Sequence, residues 1–344
     1  MPNKIPIPQS INYYWNFRSL IRMIYTLQII SRIILSLRYF ARSSIQSFDS
    51  VETIVRNVDI RYLFRGIHLI RSQAIILLIY LHICRSLYYR RRANILISLQ
   101  RAVILVATIR AAFLRYVLPW RQISFWRATV ITRFLGVLPI RPDILEWVWG
   151  GFSVGHPTLT RFFSLHYLLR ILIGPLSLGH ILLLHSNRSR RPLRDRNDYY
   201  IPFWPYFRIK DIWPGATVIL LRTLLSGVIL PETENMKHAD PIVTPTHIKP
   251  EWYFLLFYAI LRAVPSKTRR LLLIILSIVV LIVLLLFRKN YSLSFIRSLI
   301  FRLFISNCLL LRLLRRKPVE EPFLTSSVLS CLFFFFISSI LVLV

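Results

Sequence analysis

The sequence predicts an all-α membrane protein of about eight transmembrane helices, and three observations carry that reading. Of its 344 residues, 55% are hydrophobic, above the roughly 45–50% apolar share of a soluble domain. Thr325–Val344 holds twenty consecutive residues without a charge, and Leu271–Phe287 holds seventeen. At ~1.5 Å rise per residue, about 20 helical residues cross the ~30 Å hydrocarbon core. A buried soluble helix can account for one such run, but not for a series of them.

Taken in order, the apolar helical stretches lie near 17–41, 62–89, 94–117, 160–185, 212–230, 271–288, 294–313 and 325–344. The N-terminal Met1–Asn12 is polar and Pro-rich and lacks the basic-then-apolar pattern of a cleavable signal. Insertion is therefore expected to rely on the spans themselves. The connection from Pro119 to Pro157 carries Trp120, Trp126, Trp147 and Trp149. Such aromatic residues favour the membrane–water interface, so short surface helices are expected there. A second long connection, Pro231–Lys267, is Pro-rich and holds Glu251, Trp252 and Tyr253. Long loops with aromatic and ionisable residues of their own are more often functional than linking. Cys84, Cys308 and Cys331 sit in apolar stretches with no CxxC, which points to inert thiols and no covalent haem attachment.

The formal charge of +31 would ordinarily suggest nucleic acid or an anionic surface. Here it comes from 38 Arg against 7 Lys, with many Arg set inside apolar segments. A phosphate-binding face has no reason to avoid Lys, so no nucleic-acid partner is expected; membrane lipid is.

Two pairs of histidines carry the chemistry. His68 and His82 lie on the second span and His166 and His180 on the fourth, each pair fourteen residues apart. At 100° per residue, fourteen positions return to within about 40° of the same face, ~21 Å along the axis. Two such helices can present facing imidazoles at two membrane depths, as axial ligation of two haem irons requires. A lone intramembrane His is more often helix-to-helix glue; two pairs at identical spacing argue for ligation.

With those histidines in place, the motifs resemble the mitochondrial cytochrome b family. Arg161-Phe-Phe-Ser-Leu-His166 is similar to its RFFSLH, and Pro250-Glu251-Trp252-Tyr253 to its PEWY. Trp149-Gly150-Gly151-Phe152-Ser153-Val154 resembles its WGGFSV, and Lys317–Phe323 its stretch before the last span. The resemblance runs from about Tyr14 to the C-terminus and joins both family blocks on one chain. It implies a haem-binding four-helix bundle over 1–210 and C-terminal helices with the PEWY loop over 211–344.

The resemblance also implies the sites. His68 and His166 would hold a low-potential haem b, and His82 and His180 a high-potential one, both non-covalently. Arg65 and Arg85 would meet haem propionates, which guanidinium binds bidentately; either is otherwise an interfacial, snorkelling Arg. Glu251 would accept the proton at a ubiquinol-oxidation site lined by Tyr258 and Tyr116. Read alone, Glu251 is equally a solvated loop carboxylate. A quinone-reduction site would use His185, Asp211, Lys210, Ser19 and Asn16, with Trp15 nearby. Asp211 also stands at a helix start, where a structural Asp is common. The implied partners are cytochrome c1, the Rieske iron–sulfur protein and the other subunits of a dimeric complex III in the mitochondrial inner membrane.

The sequence departs from this family at glycine. Where the family sets glycine against porphyrin, this chain has Arg18, Arg32, Arg101 and Arg115, in two pairs fourteen residues apart. Arg71, Arg121, Arg127 and Arg141 also replace expected glycines. Glycine is used where another group approaches the backbone closely, and each Arg costs about 2.5–3.5 kcal/mol at a span centre. A haem-depleted, structural quinone-binding subunit is therefore the alternative expectation.

Overall fold

The computed structural model describes residues 6–9, 11–57, 61–89, 95–137, 141–186, 199–215, 233–246, 248, 250–286, 295–318 and 320–343. Its helices are α1 (Phe17–Ser36), α2 (Ser44–Arg56), α3 (Arg61–Tyr88), α4 (Ile95–Val117), α5 (Gln122–Arg133), α6 (Arg141–Trp149) and α7 (His156–Ser186). They continue with α8 (helical residues 208–215), α9 (Leu255–Arg262), α10 (Lys267–Leu286), α11 (Phe295–Leu314) and α12 (Phe323–Leu343). Strands β1 (Pro6–Pro8) and β2 (Tyr200–Pro202) form a short antiparallel pair.

Among the described residues, six segments are long and apolar enough to cross a membrane: Tyr13–Ser36, Arg65–Tyr88, Ile95–Val117, His156–Leu184, Lys267–Leu286 and Phe323–Leu343. A seventh expected span is the helix α11, made less apolar by Arg297, Arg302 and Arg312. The eighth, expected at 212–230, begins in α8, and its remainder lies outside the described residues. Leu165, Leu168, Ile171, Leu172, Leu178 and Leu182 of α7 are all exposed. An apolar face this continuous suits lipid contact, and helices suit lipid because they satisfy their own backbone groups. Hydroxyls inside the spans bond back into their own helix, as Ser72 Oγ does to Leu69 O at 2.6 Å and Thr108 Oγ1 to Ile104 O at 2.7 Å.

The chain divides into two compact units. The first comprises 1–89, 104–113 and 166–232. In it α1 packs along α3 and reaches α7, where Tyr25 Oη donates to Arg170 O at 2.9 Å. The chain turns after Ser36, five residues before the expected end of the span. Ser43 caps α2 through Gln46 N, and Ser47 Oγ donates to Phe40 O, so this serine cluster captures the backbone that would have continued α1.

The second unit comprises 90–103, 114–165 and 233–344. Its Trp-bearing connection forms α5 and α6, as expected of surface helices. Gly150 sits at φ +76, and a Cβ there would meet Pro157 at 2.6 Å. The turn lets Thr158 Oγ1 donate to Trp149 O while Trp149 Nε1 donates to Thr132 Oγ1. Further on, α11 and α12 pack through the Phe304 and Phe334 rings, and the buried Asn307 Nδ2 donates to Ser330 O at 2.9 Å. Small and polar side chains let membrane helices approach in this way.

Candidate haem and quinone sites

All four ligand candidates fall in the first unit, His68 and His82 on α3, His166 and His180 on α7. His166 is buried, and its Nδ1 lies 2.8 Å from Ala111 O on α4. A carbonyl accepts only, so the network assigns the ring proton to Nδ1 and leaves the lone pair on Nε2. His68 reaches the same state by another route. Its Nδ1 lies 2.9 Å from Ser31 Oγ, and that hydroxyl donates to Gln28 O at 3.1 Å. The hydroxyl therefore accepts from Nδ1–H. The Gln28 amide donates to His68 O at 3.0 Å and lies 3.2 Å from His68 Nε2, whose lone pair it meets.

Both rings thus carry their proton on Nδ1, held by a partner on another helix, the arrangement that orients imidazole ligands on metals, while the Nε2 of His68 accepts from the Gln28 amide. The donor set fits a haem iron. Arg32, next in sequence to Ser31, lays its guanidinium on the ring of Tyr167, next to His166, 4.1 Å from the centroid. His82 and His180 are half-buried on the same two helices. Arg65 precedes His68 by three residues on α3; Arg85 stacks on Trp15 at 4.3 Å and donates to Tyr14 O.

The expected quinone-reduction residues also converge in the first unit. Asn16 Nδ2 donates to Lys210 O at 2.7 Å, Ser19 Oγ donates to Asn16 O, and Ser19 lies near the Asp211 carboxyl. Lys210 Nζ donates to Ile11 O and faces the Tyr13 and Phe207 rings. Burial raises the Asp211 carboxyl above its usual range, more than Ser19, Arg22, Lys210 and Arg18 lower it. His185 belongs to α7, but its side chain lies outside the described residues.

The second unit assembles the other set. Glu251 opens the 3-10 turn Trp252–Phe254 that leads into α9. Its Oε1 accepts from Arg127 Nη1 of α5 at 2.7 Å, and the two side chains are only 19% and 13% exposed. Tyr253 is buried and electrostatically coupled to Tyr116 and Glu251. Burial pushes the phenol of Tyr258 up to about 12, so it stays a neutral hydrogen-bond donor at physiological pH. Tyr116 carries the Arg115 guanidinium on its face at 4.4 Å.

Sequence reasoning missed Arg127 as the partner of Glu251, Tyr253 as a member of the cluster, and Gln28 and Ser31 as the holders of His68. Only Tyr253 had a local signal, its place in PEWY.

Comparison with known proteins matches residues 3–188 to the family model described as Cytochrome b/b6/petB, and residues 238–335 to Cytochrome b(C-terminal)/b6/petD. A solved chain titled "Hyperthermophilic respiratory Complex III" shares the fold at a TM-score of 0.90 and 24% identity, covering 98% of this chain and 92% of that one.

Proposed function

Because the chain belongs to the cytochrome b/b6 family, we propose that it is the membrane core of a bc1-type quinol–cytochrome c oxidoreductase in the mitochondrial inner membrane. It oxidises ubiquinol near one membrane face, reduces quinone near the other, and couples the two to proton translocation. Residues 1–210 form its haem-binding bundle and residues 211–344 carry the PEWY loop. It works beside cytochrome c1, the Rieske iron–sulfur protein and the remaining subunits of a dimeric complex. One observation carries the reading: His68 and His166 are held in the ligating tautomer on two membrane helices, each with a second histidine fourteen residues further along.

His68 with His166 and His82 with His180 would hold two haems b, which would supply one-electron carriers when bound. Everything else is done by the chain. Glu251 takes the proton that leaves the quinol hydroxyl, while Tyr116, Tyr253 and Tyr258 wall the site and exclude water. Asp211 and Lys210 bring a proton to the quinone oxygen at the other site, and Asn16 and Ser19 hold them in place. Arg65 and Arg85 would meet the haem propionates.

A pyridine hemochrome assay on the purified complex tests the reading, with about two haems b per chain expected from the two His pairs. A value near zero leaves the haem-depleted structural subunit, the reading that Arg32 at Tyr167 favours. The raised Asp211 carboxyl adds a pH signature. A proton donor works while protonated, so quinone reduction at this face is expected to fall as pH rises through that elevated value. Asp211→Asn removes this limb of the pH profile; an unchanged profile in the variant assigns the ionisation elsewhere.

A further inference from the structure

We infer that positions 18, 32, 101, 115 and 127 are decoded as glycine in the polypeptide that reaches the membrane, and that the arginine codons there do not specify arginine. Three independent observations meet in this statement.

The first is composition. Glycine is 9 of 344 residues, where about 7% is usual. Arginine outnumbers lysine 38 to 7. Selection for positive charge has no reason to use one cation and shun the other on exposed surfaces. Arg and Gly codons can differ by a single base, so a reassigned codon or an edited transcript converts one shortage into the other excess. Three Met beside abundant Ile match a second reassignment of the same kind.

The second is burial of charge. Each of the first three membrane segments carries three arginines, and none of the three contains an Asp or Glu. Arg115 is 9% exposed, and its Nη1 and Nη2 are buried with no hydrogen-bond partner among the described residues. The guanidinium lies against the Tyr116 ring, and with no carboxylate in its own segment the cost of burying that charge is high.

The third is what these side chains obstruct. Arg32 follows the residue that holds His68 and lies on the ring that follows His166. Its guanidinium is held on the Tyr167 ring. Arg127 clamps Glu251, so the guanidinium competes with a proton for the carboxylate. Glycine at 32 removes the charge from Tyr167 and glycine at 127 frees Glu251. Arg56 lies outside the membrane segments and pairs with Glu52, Arg85 stands in the last turn of its helix and donates to Tyr14 O, and Arg262 donates to Lys317 O. These remain arginine.

The obstruction argument rests on the proposed haem reading; the composition and burial arguments do not. The test is peptide mass spectrometry of the intact complex isolated from its native membranes, digested with chymotrypsin and, in parallel, with trypsin. Glycine is expected at all five positions, with tryptic cleavage lost there and kept at Arg56, Arg85 and Arg262. Arginine at any of the five overturns the inference as stated. Hemochrome measurement on the same sample separates the two readings. Glycine without haem keeps this inference and overturns the haem assignment, whereas arginine with two haems does the reverse.

Discussion

Replacing His180 by leucine is expected to remove one of the two haems, taking the hemochrome ratio from about two to about one per chain. The reason lies in the geometry of α3 and α7. His68 and His166 are secured by Ser31, Gln28 and Ala111, all in the same unit, and none of these contacts involves His180. Fourteen helical residues, ~21 Å, separate His166 from His180, so the second site is lost without disturbing the first. His82→Leu is expected to give the same spectrum, since it removes the opposite axial ligand. The remaining absorbance should be that of the low-potential haem, reducible only by a stronger reductant. Two intact haem signals in membranes containing either variant would remove His82 and His180 from the ligand set.

The fourteen-residue spacing of these histidines was legible in the sequence because helical periodicity is local, and each spaced pair lies on a single helix, α3 or α7. Most of the spans were legible for the same reason, since each is a run of apolar residues read without its neighbours. The partners of the histidines were not. Ser31 and Gln28 reach His68 across 37 and 40 residues, and Ala111 reaches His166 across 55. Nothing in the composition of α1 distinguishes Ser31 from Ser36, which donates to Ile33 O of its own helix. The end of α1 was misplaced because apolar character continues past Ser36, while serine capping, a polar and local device, decides where the backbone turns. The cluster of Asn16, Ser19, Lys210 and Asp211 was anticipated through family resemblance alone; the Asn16–Lys210 bond spans 194 residues.

Glu251→Gln is expected to slow quinol oxidation by roughly 10²–10⁴-fold, the usual contribution of a positioned general base, with quinone reduction from the opposite face nearly unaffected. Glutamine keeps the shape of the side chain, so the 3-10 turn at Trp252–Phe254 and its lead into α9 should persist. What it loses is the capacity to take a proton. Tyr253 and Tyr258 cannot substitute, because burial holds both phenols neutral, Tyr258 at about 12 and Tyr253 well above its ordinary value. Asp211 cannot substitute either, since it belongs to the Ser19 and Lys210 cluster of the other unit. The two half-reactions therefore separate the roles of the two carboxyls: Glu251→Gln should depress oxidation, and Asp211→Asn should reshape only the pH profile of reduction. Equal slowing of both half-reactions by Glu251→Gln would make Glu251 a structural residue of the PEWY turn and nothing more.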